Sequence, residues 1–317
     1  MPDAPLVSIG LVTWNSANDL PACLAALRAQ TYAQYELIVV DNASTDASLE
    51  CLAGLSSAAR IVQNVCNVGF ARAHNQAIAL ARGQYYLALN PDVAMETGFI
   101  RALVDALDQH TECGMAGGKL LMDTGQIDTT GLFIDRKRRQ YLRGNGQVDL
   151  GQYDQPGEVF GIDGAAPLYR RTMIDHIALG GEFFDESFVT YKEDVDVAWR
   201  ARLLGWSAWY TPAARAKHVR NFRPGHRQRG NRQTRRYSVR NRYLMLLKNE
   251  TAPGWRRDWM RVLAYDLRIL GYLLLFEQTS LAVFADLYRL WPKMRRARSQ
   301  IARLTRVAPE AILAWFR

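Results

Sequence analysis

Four groups of polar side chains have the types and spacing of groups that do chemistry. In Lys192-Glu193-Asp194-Val195-Asp196 three carboxylates gather at a helix start, with Arg200 four residues beyond the last. Much of this has a structural explanation: Thr190 with Glu193 fits a capping box, early acids suit the helix dipole, and Asp196 with Arg200 forms an i,i+4 ion pair. Asp194 lies outside that explanation. It is the candidate general base for a hydroxyl that attacks an anomeric carbon. Leu89-Asn90-Pro91-Asp92 ends an apolar run in a carboxylate. Asp92 suits a divalent ion, Mg²⁺ or Mn²⁺, bridging the two phosphates of a nucleotide sugar, although an Asn-Pro-Asp turn accounts for the same residues.

Two further groups suit a nucleotide. In Asp41-Asn42-Ala43-Ser44-Thr45-Asp46 a carboxylate fixed at a strand end can accept the imide N–H of uracil or thymine, and equally these residues make a turn and cap a helix. Asn67-Val68-Gly69-Phe70 opens a segment running to Asn75, where backbone N–H groups at a helix start can meet an anion; an ordinary Asn cap explains it as well. Other nucleotide chemistries are excluded. Thr13-Trp14-Asn15 follows the first strand in place of a GxGxxG loop, and GxxxxGK[ST] is absent, which argues against NAD-dependent oxidoreductases and P-loop kinases. Cys23, Cys51, Cys66 and Cys113 stand singly, without zinc or disulfide spacing.

The elements that must position these groups follow from periodicity. Apolar runs at 7–12, 36–40, 60–63 and 85–89 read as strands, and amphipathic stretches at 19–29, 70–81 and 99–109 read as helices. This is an α/β pattern: a Rossmann-like, mostly parallel sheet flanked by helices, with each polar group beyond the carboxyl end of a strand. Residues 123–160 lose the rhythm and read as a hairpin or mobile loop region containing the run Arg136-Lys137-Arg138-Arg139. A strand is expected at 164–169, a helix at about 194–204 and a helical stretch at 255–306.

The series TWN, VVDNAST-D, N-x-GFA-x3-N, LNPD, FDESFVTYKEDVD-x3-R and a later histidine resembles glycosyltransferase family 2, in its rhamnosyltransferase-like branch that builds bacterial surface polysaccharides. The resemblance covers about residues 6–250. It implies a GT-A fold, inverting transfer from a nucleoside-diphosphate sugar with dTDP-rhamnose as the leading donor, and a glycan or lipid-diphosphate-linked glycan as acceptor. It makes Asp194 the catalytic base, and Asp92 and His218 the ligands of Mg²⁺ or Mn²⁺. Thr13, Trp14, Asn15, Asp41, Asn42, Ser44, Asn67, Gly69, Phe70, Asn75, Asn90 and Asp92 become candidates for the nucleotide sugar; Gly164, Glu193, Asp196 and Arg200 become candidates for acceptor or sugar. The first acid of the family's DxD motif is Asn90 here. A catalytically inactive sugar-nucleotide-binding or lectin-like protein of the same fold is the alternative.

Charge divides the chain: residues 1–214 carry 16 Lys and Arg against 25 Asp and Glu, and residues 215–317 carry 24 against 6. The expected division is a catalytic domain over 1–220, with a nucleotide-sugar part to about 120 and an acceptor part from 121, followed by a basic, mainly helical region over 221–317. Residues 262–284 are apolar but interrupted by Asp266, Arg268 and Glu277, so a spanning helix is not expected. Trp255, Arg256, Arg257, Trp259 and Arg261 before them, and Trp291, Lys293, Arg295, Arg296 and Arg298 after them, have the character of interfacial anchors. Packing on the catalytic domain, or on a second subunit in a homodimer, would use the same helices. No nucleic-acid motif accompanies the arginines, so nucleic acid is not an expected partner. The sequence lacks the pattern of a signal peptide, and the expected location is the cytoplasm, at the inner face of the membrane.

Overall fold

The computed structural model describes residues 4–55, 59–219 and 232–317. The expected boundary at residue 220, and the arginines from 220 to 230, lie outside the described residues. Strands β1 (Val7–Thr13), β2 (Tyr35–Asp41), β3 (Ala59–Gln63) and β4 (Tyr85–Leu89) alternate with helices α1 (Leu20–Arg28), α2 (Ser48–Ala53) and α3 (Phe70–Leu80). They are followed by β5 (Val93–Met95), α4 (Phe99–Gln109), β6 (Cys113–Leu121), β7 (Ile127–Thr129), β8 (Leu132–Ile134), β9 (Gln140–Leu142), β10 (Gly157–Val159), β11 (Leu168–Arg170), α5 (Arg171–Ile177), α6 (Glu193–Leu203) and β12 (Ser207–His218). Four helices complete the chain: α7 (Arg232–Asn249), α8 (Ala252–Phe276), α9 (Val283–Leu304) and α10 (Pro309–Leu313).

The main sheet runs β10-β12-β6-β11-β4-β1-β2-β3. The pairs β1–β2, β1–β4, β2–β3 and β6–β12 are parallel, and β11 is inserted antiparallel between β4 and β6. β1, β2 and β4 read as nearly continuous apolar runs because helices cover both faces. The same apolar helices divide the core into two layers, one on each side of the sheet. α4 shows the matching helical logic: Phe99, Ile100, Leu103, Val104 and Leu107 recur at helical spacing and are all buried.

Register sets the site. Thr13 and Asp41 are partners at the ends of β1 and β2. β5 pairs antiparallel with β12 so that Val93 faces His218, and the Val219 N–H donates to the Asp92 carbonyl at 2.9 Å. Asp92 and His218, far apart in sequence, are thereby neighbours. β7, paired on β6, brings Asp128 to the same histidine.

Several expectations need correction. The strand expected at 164–169 begins only at Leu168, because residues 163–167 form the loop whose Gly164 N–H turns to Asp194. The capping box does not form: Lys192 holds the N-cap position in a left-handed conformation, and no side chain caps the helix. The run 136–139 forms the tip of the β8–β9 hairpin. Its Arg138 is wholly buried against Glu250 at 2.6 Å and Asp258 at 2.9 Å. The helical stretch at 255–306 is two helices separated by a 3₁₀ turn at Gln278–Ala282; Thr251 caps the first, and Pro253 stands within its first turn.

The basic C-terminal helices are built into the sheet-bearing part of the chain. Lys248 of α7 contacts Asp185 at 2.8 Å and Asp196 at 2.7 Å, and Asn249 donates to Asp196 at 2.7 Å. Arg200 closes the group at 2.9 Å from Asp196 and donates to the Ile177 and Phe183 carbonyls. α6 is buried on every side despite its charges, and Asp196, Arg200 and Arg202 each meet an oppositely charged partner. Lys293 of α9 likewise contacts Glu182 and Asp185, each at 3.0 Å, instead of facing outward as an anchor.

Candidate active site

Two adjoining clefts open beyond the carboxyl ends of β1, β2 and β4. The first, of about 350 Å³, is lined by Asn90, Asp92 and His218, by Asp163 and Gly164, and by Lys192, Glu193 and Asp194. The second, of about 580 Å³, is lined by Thr13, Trp14, Asn42, Asn67 and Gly69 on the sheet side and by Gln233 and Tyr237 of α7 on the other. Phe70, Thr190 and Tyr191 border both. Together they have the size of a site for a small organic ligand.

The segment leading into α6 is under backbone strain. Val189, Tyr191 and Lys192 have φ of 63°, 69° and 69°, a region that costs side-chain-bearing residues on the order of 1–3 kcal/mol each. α7 holds it. The Asn241 amide nitrogen lies 2.9, 2.8 and 2.7 Å from the carbonyls of Phe188, Thr190 and Tyr191, and Arg240 donates to the Ser187 and Phe188 carbonyls at 2.6 and 3.1 Å. On the opposite side Gly69 makes a close approach that no side chain permits. At its φ of +86° an added Cβ would fall 2.6 Å from Val189 Cγ1 and 2.7 Å from the Val189 oxygen.

This turn delivers Asp194, whose carboxylate accepts from the Gly164 N–H at 3.2 Å and from the Val195 N–H at 2.8 Å. Burial, reinforced by the charge of Asp163, raises the Asp194 pKa to about 6 against the pull of those N–H groups. Glu193 beside it is pushed well above the usual carboxylate range by burial and by Asp194, and its Oε2 has no hydrogen-bond partner. Lys192, donating to Gln140 at 2.9 Å, is lowered to about 8 by burial and by Arg242. A carboxylate whose pKa lies near neutrality, at the wall of a cleft, is suited to take a proton from a hydroxyl.

In the same cleft, His218 Nδ1 lies 2.8 Å from Asp128 Oδ2 and its Nε2 lies 3.3 Å from Asp92 Oδ1. Burial opposes charge on this ring, but Asp128 and Asp92 outweigh it and raise the pKa to about 9. Asp128 fixes the ring and directs Nε2 toward Asp92, which is how carboxylates orient metal-binding histidines. With the Nε2 proton displaced, one oxygen and one nitrogen ligand would fit a divalent cation that took its other ligands from phosphate oxygens and water. Among the described residues no cluster of three metal-binding side chains occurs.

The structure does not bring every expected residue to the clefts. Asn15, Asp41, Ser44 and Asn75 line neither of them. The buried Asp41 carboxylate accepts from Ser44 Oγ at 2.5 Å and its N–H at 3.0 Å, and Asn15 accepts from the Thr45 N–H at 2.8 Å. Asn75 is engaged with the backbone of Phe184, donating at 2.8 Å and accepting at 3.0 Å. Asp196 and Arg200, expected near acceptor or sugar, are enclosed in the buried ion group and reach neither cleft. Thr13 offers a buried hydroxyl without a hydrogen-bond partner where the second cleft meets the sheet. Asp128, Asp163, Tyr191, Lys192 and Asn241 were not among the expected residues. Asp163 stands beside the singled-out Gly164, whereas Asp128 is identified only by the register of β7.

The family model described as "Glycosyl transferase family 2" matches residues 8–177. An uncharacterised protein of Sinorhizobium fredii is 28% identical over 71% of this chain, and the match spans only 26% of that relative's length. N-acetylglucosaminyl-diphospho-decaprenol L-rhamnosyltransferase of Mycobacterium tuberculosis is 26% identical over 65% of this chain and 74% of its own. Among solved structures, GalNAc-T7 with UDP, GalNAc and Mn²⁺ superposes with a TM-score of 0.61 at 13% identity, over 78% of this chain and 48% of the other. The fold is of the GT-A type.

The contact between Gly69 and Val189 yields a prediction. Gly69→Ala should lower unfolding free energy in urea by roughly 1–3 kcal/mol through positive φ and overlap. Gly271→Ala, inside α8 with nothing within 4 Å of the added Cβ, should raise it by about 0.5–1 kcal/mol. Equal stability of Gly69→Ala and the parent chain would contradict the close approach.

Proposed function

The chain belongs to glycosyltransferase family 2, and from that premise we propose that it is an inverting transferase that moves a sugar from a nucleoside diphosphate to a hydroxyl of a glycan acceptor. The observation that carries this reading is the presence, in the lining of one cleft, of both Asp194 and the Asp92–His218 pair. The acceptor hydroxyl gives its proton to Asp194 while its oxygen attacks the anomeric carbon. The bond to the diphosphate oxygen breaks on the opposite face, which inverts the configuration. A divalent cation held by Asp92 and His218 would supply positive charge to the departing diphosphate. Thr13, Asn42, Asn67 and Gly69 border the space for the nucleotide, and Phe70 and Asn90 lie toward the sugar.

The finer assignment is dTDP-rhamnose as donor and a lipid-diphosphate-linked glycan as acceptor, supported by the activity named for the mycobacterial relative. We place the enzyme at the cytoplasmic face of the membrane as a peripheral protein. No described helix is long and apolar enough to cross a membrane, while α8 exposes Trp255, Trp259, Met260, Leu263 and Leu267 along one side, and α9 exposes Phe284, Tyr288 and Trp291. Arg256, Arg261, Arg295 and Arg296 on the same helices suit an anionic surface.

Two measurements test the catalytic reading. Asp194→Asn should abolish transfer while retaining donor binding, because the lost group acts in the transition state. In the parent enzyme kcat/KM should fall about tenfold per pH unit below about 6, where Asp194 becomes protonated, and should level off above it. Transfer by the variant at the parent rate would remove Asp194 from the role of base. For the cation, EDTA should weaken donor binding in the parent enzyme but scarcely further in Asp92→Ala or His218→Ala. Donor binding and turnover unchanged by EDTA would eliminate the cation.

A further inference from the structure

A third cavity, of about 470 Å³, lies outside both clefts between α7, the 3₁₀ turn and α9. Its lining is polar and cationic: Arg236, Arg240 and Arg289 face a single carboxylate, Asp286, with Tyr237, Thr279 and Ser280 among the neutral groups. Asp286 is already engaged by two of the cations. Arg236 reaches it at 2.6 Å and Arg289 at 3.2 Å. Arg240 is buried under Tyr237, with its guanidinium 4.6 Å from the ring centre. Three guanidiniums against one carboxylate give the lining an excess of positive charge.

We propose that this cavity binds the diphosphate ester of the acceptor, an assignment that rests on the transferase reading above. Three guanidiniums against one carboxylate leave charge for an anion, and guanidinium forks match phosphate oxygens in geometry. Hydroxyls of Tyr237, Thr279 and Ser280 supply neutral donors. The cavity adjoins the nucleotide-side cleft, because Gln233 and Tyr237 line both. Arg240 joins it to the reaction centre through its bonds to the Ser187 and Phe188 carbonyls, immediately before the turn that carries Asp194. The elements around the cavity also expose apolar side chains: Phe276 is 73% and Tyr288 86% accessible, flanking the 3₁₀ turn and Arg289 in sequence. A diphosphate ester with an apolar tail would meet charge inside the cavity and apolar surface beyond it.

The test is calorimetric titration of the full chain with inorganic pyrophosphate and with geranyl diphosphate. Both titrations are run in EDTA, so that Asp92 and His218 cannot recruit the diphosphate through a cation. Arg289 is 77% accessible at its side chain, so Arg289→Glu reverses a cavity charge with little risk to folding; Arg101→Glu, at a side chain 50% accessible on α4, controls for net charge. Saturable binding is expected, weakened at least about tenfold by Arg289→Glu and changed less than about twofold by Arg101→Glu. Tighter binding of geranyl diphosphate identifies a lipid-linked ester; equal affinities assign the site to a soluble diphosphate ester and overturn the role of the apolar rim. Absence of saturable binding, or equal binding by Arg289→Glu, overturns the site. The titration uses neither donor nor turnover, so its failure and a failure of Asp194-dependent transfer are separate results.

Discussion

The clamp of Asn241 on the strained turn before α6 is the constraint on which the active site depends. Three residues of positive φ in four positions would relax to ordinary backbone if left alone, moving Asp194 away from Gly164. Asn241 and Arg240 hold the carbonyls of Ser187, Phe188, Thr190 and Tyr191 in place from one side, and the side-chain-free surface of Gly69 admits Val189 from the other. A helix from the basic C-terminal region thereby shapes a cleft whose other walls come from the sheet.

The same dependence appears in the charges beneath the turn. Asp196, Arg200, Lys248, Asp185 and Asn249 form one buried group spanning α6, α7 and the 183–188 loop. Removing one partner would leave an uncompensated buried ion, at a cost of about 3–5 kcal/mol. α6 thus begins with a carboxylate that lines the cleft and, half a turn later, has a carboxylate committed to packing. Asp194 and Asp196 differ in role because helix geometry turns one to the cleft and the other to Lys248.

The legible part of the sequence was what local periodicity controls. Apolar runs located β1 to β4, and the polar residues after them fell near the clefts, as Thr13, Asn42 and Asn90 show. What was not legible depends on distant pairing. Asp128 reaches His218 only through the β5–β12 and β6–β7 registers, and nothing in Gln126-Ile127-Asp128-Thr129 signals this. The Asp196–Arg200 spacing indicates the ion pair that forms, but spacing does not reveal burial, and the same two residues are also candidates for acceptor or sugar. α7 lacks a clear apolar stripe; Leu244 and Met245 enter the core, but its guanidinium and amide groups are buried by binding carbonyls and carboxylates, a signal that hydrophobic patterning does not carry.

The most direct measurement is the kinetics of Asn241→Ala, at a side chain that touches none of the reacting groups. If α7 positions Asp194, kcat for transfer should fall on the order of tenfold, with donor KM within about twofold of the parent value. The acid limb of the pH profile should move below about 6 as the loosened turn admits water to Asp194. A variant with the parent kcat and an unmoved acid limb would contradict a catalytic carboxylate held in place from the C-terminal helix.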